Sequence, residues 1–328
     1  MRRRLTISVV AILAILALAW SGGWFWLARW ADRQATTTLQ ELSEQGVEVD
    51  CRDRGISGFP FALRLACAET AVAERSTNTK ANFSGLTGGA SVFAPTTARI
   101  AMTSPARLDS PELGSADMRW TDAGLGVGIG VNGPRDVSFD TTDLEAELAV
   151  PALPVQKVMA RSAEGSLAPS ANGGTDVSVS FIDLGVAFDG ANLPLVSGTA
   201  AGELSVPPRA LIAGRAAMQA PVWARGIDVA LQSGGAKFRV AGEIAVDAEG
   251  ILDGQLTLRV GGAEALPAFL AALPSDWQKV GNAVAGGLFA FGRAATLDGE
   301  PASELTVEIS RGNAKIGPIE FSLPRVPL

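Results

Sequence analysis

Through most of the chain, apolar and polar residues alternate over short stretches that are separated by glycine-containing turns. The clearest stretch runs from residue 227 to residue 260, with a Gly234-Gly235 turn near its start. Its apolar positions are Ile227, Val229, Leu231, Phe238, Val240, Ile244, Val246, Leu252, Leu256, Leu258 and Val260. A repeat of two residues predicts antiparallel strands with one apolar face and one wet face.

The same alternation recurs elsewhere in the chain. Val177, Val179 and Phe181 are followed by a second set, Leu184, Val186 and Phe188, and Asp189-Gly190 is predicted to end that strand. The last strands are predicted from Leu305, Val307, Ile309, Ile319, Phe321 and Leu323. The prediction is therefore a mainly β body over residues 47–328, built from a long, curved antiparallel sheet.

Helical periodicity in the body is limited to three short segments. One runs from Pro267 to Leu273, and a second begins at Ser275 with an apolar stripe. A weaker candidate runs from Ala210 to Met218. The stripe of the second helix comprises Trp277, Val280, Val284, Leu288 and Phe291. We expect these helices to cover the apolar face or a sheet end, and the alternative is a mobile lid.

The few helices leave open how the apolar face of the sheet is covered. A sheet with one apolar face must bury it against helices, a second sheet or a ligand. The sheet could therefore close on itself as a sandwich or an open barrel, or it could leave a groove for an acyl chain. The candidate groove lining is Phe238, Val240, Ile244, Leu256 and Leu258.

The N-terminus has the pattern of a transmembrane signal anchor. Arg2, Arg3 and Arg4 precede an apolar run from Leu5 to Ala28, which would form about 36 Å of helix, enough to cross a hydrocarbon core of roughly 30 Å. The basic residues place the N-terminus in the cytoplasm and the body outside it. Tryptophans suited to the membrane interface cluster near the far end, at positions Trp20, Trp24, Trp26 and Trp30.

A cleaved signal peptide is the alternative, since Ala17-Leu18-Ala19 fits a cleavage site. Cleavage would leave Trp20, Trp24 and Trp26 exposed at a new terminus, so the uncleaved anchor over residues 1–30 is favoured. Residues 31–46 are predicted to continue as a helical stalk that Gly46 ends. Both alternatives place the body in the bacterial periplasm, and the anchor adds a single pass through the inner membrane.

Two cysteines lie in a predicted hairpin. The alternating segments around Cys51 and Cys67 flank a turn-rich stretch, Gly55 to Pro60. An antiparallel pairing centred on Phe59 would place Cys51 opposite Cys67, near disulfide range. Outside the cytoplasm such a pair is expected to be bonded, and the C-x-x-C spacing of a redox-active pair is absent.

The composition argues against catalysis and against nucleic-acid binding. The chain has no histidine, which removes the commonest general base and metal ligand, so we expect no enzyme, cofactor or metal site. Five of the 27 basic and three of the 34 acidic residues lie in the first 45 positions, so the rest carries a net charge of −9. An acidic body repels phosphate backbones.

Several short motifs together resemble the bacterial domain of unknown function 2125. They are the N-terminal anchor, Gly58-Phe59-Pro60-Phe61 between the cysteine strands, the stretch from Gly242 to Arg259, and the closing segment from Asn313 to Ile319. The resemblance covers nearly the whole chain and brings no catalytic residues. More distantly, that family resembles AsmA-like envelope proteins, which implies an anchored, curved sheet with an apolar groove and a role in lipid movement or envelope homeostasis.

The function expected from the sequence is a membrane-anchored periplasmic protein that binds or conducts lipid acyl chains along an apolar groove. The main alternative is a non-catalytic assembly scaffold that binds another envelope protein at the sheet. A hydrolase that uses carboxylates alone ranks lowest.

The first prediction concerns the N-terminus. The mature protein should keep its first residues and fractionate with the inner membrane, because the apolar run is long enough to span it. Intact-mass measurement of the purified protein checks this, and a chain that begins at Trp20 would contradict it.

Overall fold

The fold is mainly β, with 64% of residues in strands. The computed structural model describes residues 2–44, 46–111, 114–130, 133–149, 155–188, 191–213, 221–273, 275–317, 319–323 and 325–326. The chain divides into two compact units, Met1–Ser115 and Ala116–Leu328.

The first unit begins with one long helix, α1 (Arg2–Glu44), which covers both the predicted anchor and the predicted stalk. The chain leaves the helix at Gly46, whose N–H donates a hydrogen bond to the Ser43 carbonyl over 3.1 Å. The start of the predicted membrane span lies outside the described side chains, which omit those of residues 1–11, 13, 14 and 17. Within the described part, none of the helices has the length and apolarity needed to cross a membrane.

In the described part of the first unit, six antiparallel strands lie before the unit boundary, arranged around the long strand β5. They are β1 (Val47–Arg52), β2 (Gly55–Ser57), β3 (Ala62–Cys67), β4 (Glu69–Glu74), β5 (Thr79–Ser91) and β6 (Ala94–Ser110). Strands β3 and β4 pair end to end along one edge of β5, and β6 pairs with its other edge. Strands β1 and β2 pair in turn with β4 and β3.

The two cysteines form a disulfide, with Cα atoms 5.3 Å apart. The register predicted for the hairpin is wrong. Cys51 lies opposite Thr70, and Cys67 pairs with Leu86 of β5. The hairpin is centred between Pro60 and Phe61, so each residue pairs three positions further along than predicted. Asp53, between β1 and β2, has a positive φ of 49°. This break in the strand brings the two cysteines together from positions that do not face each other.

The tip of this hairpin lies against α1. The indole N–H groups of Trp20 and Trp24 donate hydrogen bonds to the carbonyls of Pro60 and Ala62, over 3.2 and 2.9 Å. The Phe59 ring lies 5.5 Å from the Trp24 ring. Below the tip, Arg54 forms an ion pair of 2.9 Å with Asp32 of the helix. The hairpin is therefore attached to the helix at two levels.

The second unit is a meander in which each main strand pairs antiparallel with the next. Strand β7 (Gly114–Arg119) crosses the unit boundary. The rest are β8 (Asp122–Gly130), β9 (Gly133–Ala149), β10 (Val155–Pro169), β11 (Thr175–Phe188), β12 (Ala191–Asn192), β13 (Val196–Leu204), β14 (Val222–Ser233), β15 (Ala236–Val246), β16 (Leu252–Gly261), β17 (Arg293–Leu297), β18 (Glu300–Ser310), β19 (Asn313–Ile316) and β20 (Ile319–Ser322).

The two apolar sets predicted around residues 177–188 belong to one strand, β11. Asp183 between them has a positive φ of 53°, and the apolar alternation shifts by one residue at this position. Arg161 of the neighbouring strand forms an ion pair of 2.6 Å with Asp183. Because the backbone is distorted at Asp183, the apolar residues before and after it can belong to one strand although they occupy odd and even positions, respectively. The predicted end at Asp189-Gly190 lies outside the described residues.

Among the described residues of the second unit, three helices accompany the sheet: α2 (Pro208–Ala213), α3 (Leu266–Ala271) and α4 (Ser275–Phe291). The last two match the predicted segments within two residues, and α2 covers the start of the weak candidate, whose residues 214–218 are not described. Leu266 and Leu288 of α3 and α4 form a buried cluster with Val260 and Leu305 of the sheet. Gly281 lets α4 approach α3 closely, since a methyl group there would lie 2.5 Å from Leu270 Cδ2.

The second prediction concerns the disulfide. Alkylation without reduction should label neither cysteine, and Cys51→Ala with Cys67→Ala should destabilise the protein by about 3 kcal/mol because a short loop is no longer closed. Denaturant unfolding of the double variant measures the loss. Ser76→Ala, in the exposed β4–β5 turn, is the control, and unfolding equal to that of the control would contradict the prediction.

Candidate functional site

The five predicted lining residues share one face of β15 and β16. Val240 lies directly opposite Leu258, while Phe238 lies opposite Val260. Leu256 and Ile244 lie opposite Gly242 and Gly254. Since alternate residues of a strand point to the same side, this register places all five on the face that the sequence pattern predicts to be apolar.

This apolar face continues across nine strands. One row of directly paired residues crosses the sheet from β8 to β18, and every position in it is apolar. The row is Leu125, Phe139, Gly165, Val179, Ala200, Val229, Val240, Leu258 and Leu305. At about 4.8 Å between strands, it extends over roughly 38 Å. We call the face that contains this row the apolar face.

Helices α3 and α4 cover one end of the apolar face, while α2 contacts β9 and β10 near the other end of the row. Phe238 and Leu258 pack against the buried cluster that contains Leu266 and Leu288, and the Phe238 ring lies 5.2 Å from that of Phe269 on α3. Further along, Val179, Val229 and Val240 stay half-buried, and so do Ile244 and Leu256. All five candidate residues are half-buried, and they divide into a pair that packs against the helical cluster and three that are not part of that packing.

Aromatic side chains lie across glycines on the apolar face. A methyl group at position 165 would collide with the ring of Phe139, and one at position 198 would lie 2.6 Å from Leu231 Cδ2 and 3.2 Å from Phe181 Cζ. These large side chains therefore lie over the neighbouring strand. Phe139 nevertheless remains 41% exposed. The result is a smooth apolar surface that retains contact with solvent.

The opposite face of the same strands is polar and held by ion pairs. Arg239 donates two hydrogen bonds to Asp228, of 2.8 and 2.6 Å, and Arg259 donates one of 2.7 Å to Glu304. The hydrogen bond from Arg239 keeps the pKa of the Asp228 carboxyl below its usual range, against a smaller opposing effect of burial. The two faces of the sheet thus differ completely in character.

An open cavity of about 400 Å³ lies over the polar face. Its walls include Thr199, Lys237, Arg239 and the turn residues Leu297 and Asp298. Leu297 and Lys237 lie on the same side of the sheet, since a methyl group added at Gly261 would be 3.7 Å from Leu297 Cδ2 and 3.8 Å from Lys237 Cβ. Across the described part of the chain, no three Cys, Asp or Glu side chains are grouped as metal ligands. Of the five predicted lining residues, Phe238 also borders this cavity, while the other four are not among its walls.

The four predicted interface tryptophans lie on α1 and differ in their surroundings. Trp20, Trp26 and Trp30 are 50%, 64% and 48% exposed. Trp24 is half-buried against the hairpin tip, to which it donates its N–H. Trp24 therefore fastens the first strands to the helix, a role that the sequence pattern alone did not predict.

A comparison with protein families identifies the chain. Residues 24–322 match the family described as an uncharacterized protein conserved in bacteria, DUF2125. The chain belongs to the DUF2125 family. The match covers both units of this DUF2125 protein and confirms the resemblance drawn from its motifs, although the more distant likeness to AsmA-like proteins is not part of that match. Searches of curated proteins and of solved structures found no significant match.

The third prediction concerns the polar face. Asp228→Asn should lower the melting temperature by about 1–3 °C at pH 7, because an exposed ion pair contributes little. Since the folded-state pKa of Asp228 is lowered, its carboxylate stabilises the fold above the usual carboxyl pKa and loses that effect as the pH falls through the lowered value.

The difference between the variant and the parent protein should therefore disappear in acid. Scanning calorimetry at neutral pH and at about pH 2.5 measures it. Asp176→Asn, an exposed carboxylate on β11 outside the Arg239 pair, is the control. A difference that persists unchanged in acid would contradict the assignment.

Proposed function

We propose that this DUF2125 protein is a membrane-anchored protein of the bacterial envelope that holds lipid acyl chains along its apolar face. One observation carries the proposal. The central residues of a nine-strand apolar row, Val179, Val229 and Val240 among them, are only half-buried. A closed sandwich would bury such positions fully, so this pattern favours a ligand as the missing cover.

The energetics of the apolar face suit a weakly held, movable chain. Each methylene group removed from water contributes about 0.8 kcal/mol. An acyl chain that lies on half-buried side chains removes part of its own surface and part of theirs from water. The smooth surface formed by Phe139 over Gly165 and by Phe181 near Gly198 offers many similar positions, so the chain could shift along it without breaking polar contacts.

The helical cover at one end supports this division of roles. Leu305 is 4% exposed beneath the helices, and Val260 is 7% exposed, so this part of the face forms the core that stabilises the sheet. Ile244 and Leu256 lie further from the cluster along their strands and remain accessible. In the proposal, the covered end holds the fold together and the accessible part receives the ligand.

The proposed location follows from the N-terminal sequence. The uncharged apolar run from Leu5 to Ala28 after three arginines supports a single pass through the inner membrane, with the strands of both units in the periplasm. A disulfide between Cys51 and Cys67 fits an oxidising compartment. Proximity to a membrane would supply the acyl chains. No covalent chemistry takes part.

The fourth prediction tests the proposed ligand surface with two matched substitutions. Leu256→Asn places a polar group on the accessible part of the face, so it should reduce binding of pyrene-labelled palmitate severalfold and lower the melting temperature only slightly. Leu305→Asn buries an amide without partners and loses packing, at a cost of several kcal/mol. It should lower the melting temperature by roughly 10 °C or more.

Fluorescence titration and calorimetry on the full-length protein separate the possible outcomes. Reduced probe binding in Leu256→Asn with the fold retained supports the proposal. If Leu256→Asn unfolds the protein as readily as Leu305→Asn and the parent protein binds no probe, the face is a closed core. A non-catalytic scaffold for another envelope protein would then be the better account.

A further inference from the structure

Two adjacent loop tips in the first unit expose a cluster of apolar side chains beside α1. The tip of the cysteine hairpin carries Phe59 and Phe61, which are 50% and 56% exposed. The β5–β6 turn carries Val92 and Phe93, which are 38% and 80% exposed. We call these four residues the tip cluster.

The two loops of the tip cluster are held together by direct contacts. The Val92 N–H donates a hydrogen bond of 2.9 Å to the Phe61 carbonyl, and the rings of Phe61 and Phe93 lie 5.7 Å apart. Strands β3 and β5 pair up to Ala62 and Ser91, so regular sheet structure fixes the two tips side by side. Their apolar side chains therefore point outward from a rigid base.

The sequence around the tip cluster is free of charge. Residues 55–63 and residues 88–98 contain no Asp, Glu, Lys or Arg. The first charged residues beyond these segments are Arg54, Arg64, Lys80 and Arg99, all of them basic. An uncharged, aromatic tip with basic residues behind it suits insertion between lipid headgroups, where aromatic rings are stable and cations meet phosphates.

The contacts with α1 place the tip cluster at a defined level of the helix. The Phe59 ring stacks at 6.0 Å from that of Phe25, and the bond from Trp24 fixes the hairpin tip to the same turn. The helix residues that hold the tip, Trp24 and Trp20, precede the end of the apolar run at Ala28 by four and eight residues, about 6 and 12 Å along a helix. Apolar faces of interfacial segments enter the headgroup boundary by roughly 5–10 Å, which agrees with the level of Trp24.

We infer that the tip cluster inserts into the outer headgroup layer of the same bilayer that the N-terminal helix crosses. The inference rests on the proposed membrane anchor and goes beyond it. The lipid surface would be contacted by the β domain as well as by the helix. Insertion at two loop tips beside the helix would limit rotation of the first unit and hold its strands at a fixed height above the membrane.

Depth-dependent fluorescence quenching tests the inference on the full-length protein. The native cysteines are disulfide-bonded, so Phe93→Cys introduces a single reactive thiol for an environment-sensitive nitrobenzoxadiazole label. Ser76→Cys is the matched control, since it lies in the exposed turn at the opposite end of β5. At about 3.3 Å per residue, the two sites are separated by roughly 40 Å.

The labelled proteins are reconstituted into vesicles of phosphatidylcholine and phosphatidylglycerol that contain lipids spin-labelled at a shallow position. The label at position 93 should emit at shorter wavelength and be quenched severalfold more strongly than the label at position 76. Equal quenching of the two labels in vesicle-bound protein would overturn the inference and leave the anchor intact.

Two further outcomes also decide the matter. Protein that fails to float with the vesicles would contradict the anchor and the inference together. A label at position 93 that is shielded from aqueous iodide, yet is not quenched by the lipid, would show that the tip cluster contacts protein and would overturn the inference.

Discussion

Burial of one apolar sheet face is the constraint on which the second unit depends. Nine strands present directly paired apolar residues from Leu125 to Leu305, and the polar residues between them form ion pairs on the other side. A slip of one residue in any strand would exchange the two faces. The register therefore keeps Arg239 and Arg259 in contact with solvent while Phe238 and Leu258 pack against the helices.

Helices cover that face at one end and leave other parts half-buried. The covered end accounts for stability, and the half-buried part is the proposed ligand surface. Helices α3 and α4 bury Val260 and Leu305, and fully buried side chains of this size each contribute about 1.5–3 kcal/mol. Strands further along keep their apolar side chains half-buried. Aromatic rings over Gly165 and Gly198 reduce the exposed area without closing the surface. A ligand with a flexible apolar chain suits a surface of this kind.

The sequence pattern predicted the meander from Ile227 to Val260 because single residues alternate there without interruption. It also predicted the partners of the disulfide, since the chain contains only two cysteines. The pattern predicted the wrong register for the hairpin, because the order of apolar and polar residues does not reveal the positive φ of Asp53. Asp183 caused a similar error, since its distortion joins two patterns of opposite phase into one strand.

Packing between separate helices and strands could not be predicted from the sequence pattern, for a different reason. The contact of Trp24 with the Ala62 carbonyl and the packing of Phe238 against Phe269 join segments about 30 to 40 residues apart. Local periodicity carries no information about such contacts. The tryptophans were consequently interpreted as interface residues alone, and Phe238 was grouped with groove residues although helix α3 packs against it.

The central claim is that acyl chains lie on the uncovered part of the apolar face. The most direct measurement is photo-crosslinking of membranes that contain this protein with a diazirine-bearing fatty acid, followed by mass spectrometric mapping of the adducts. The account predicts adducts on apolar residues of β11, β13 and β14, such as Val179 and Val229, and few on the polar residues between them. Absence of adducts from these strands, or equal labelling of both faces, would contradict it.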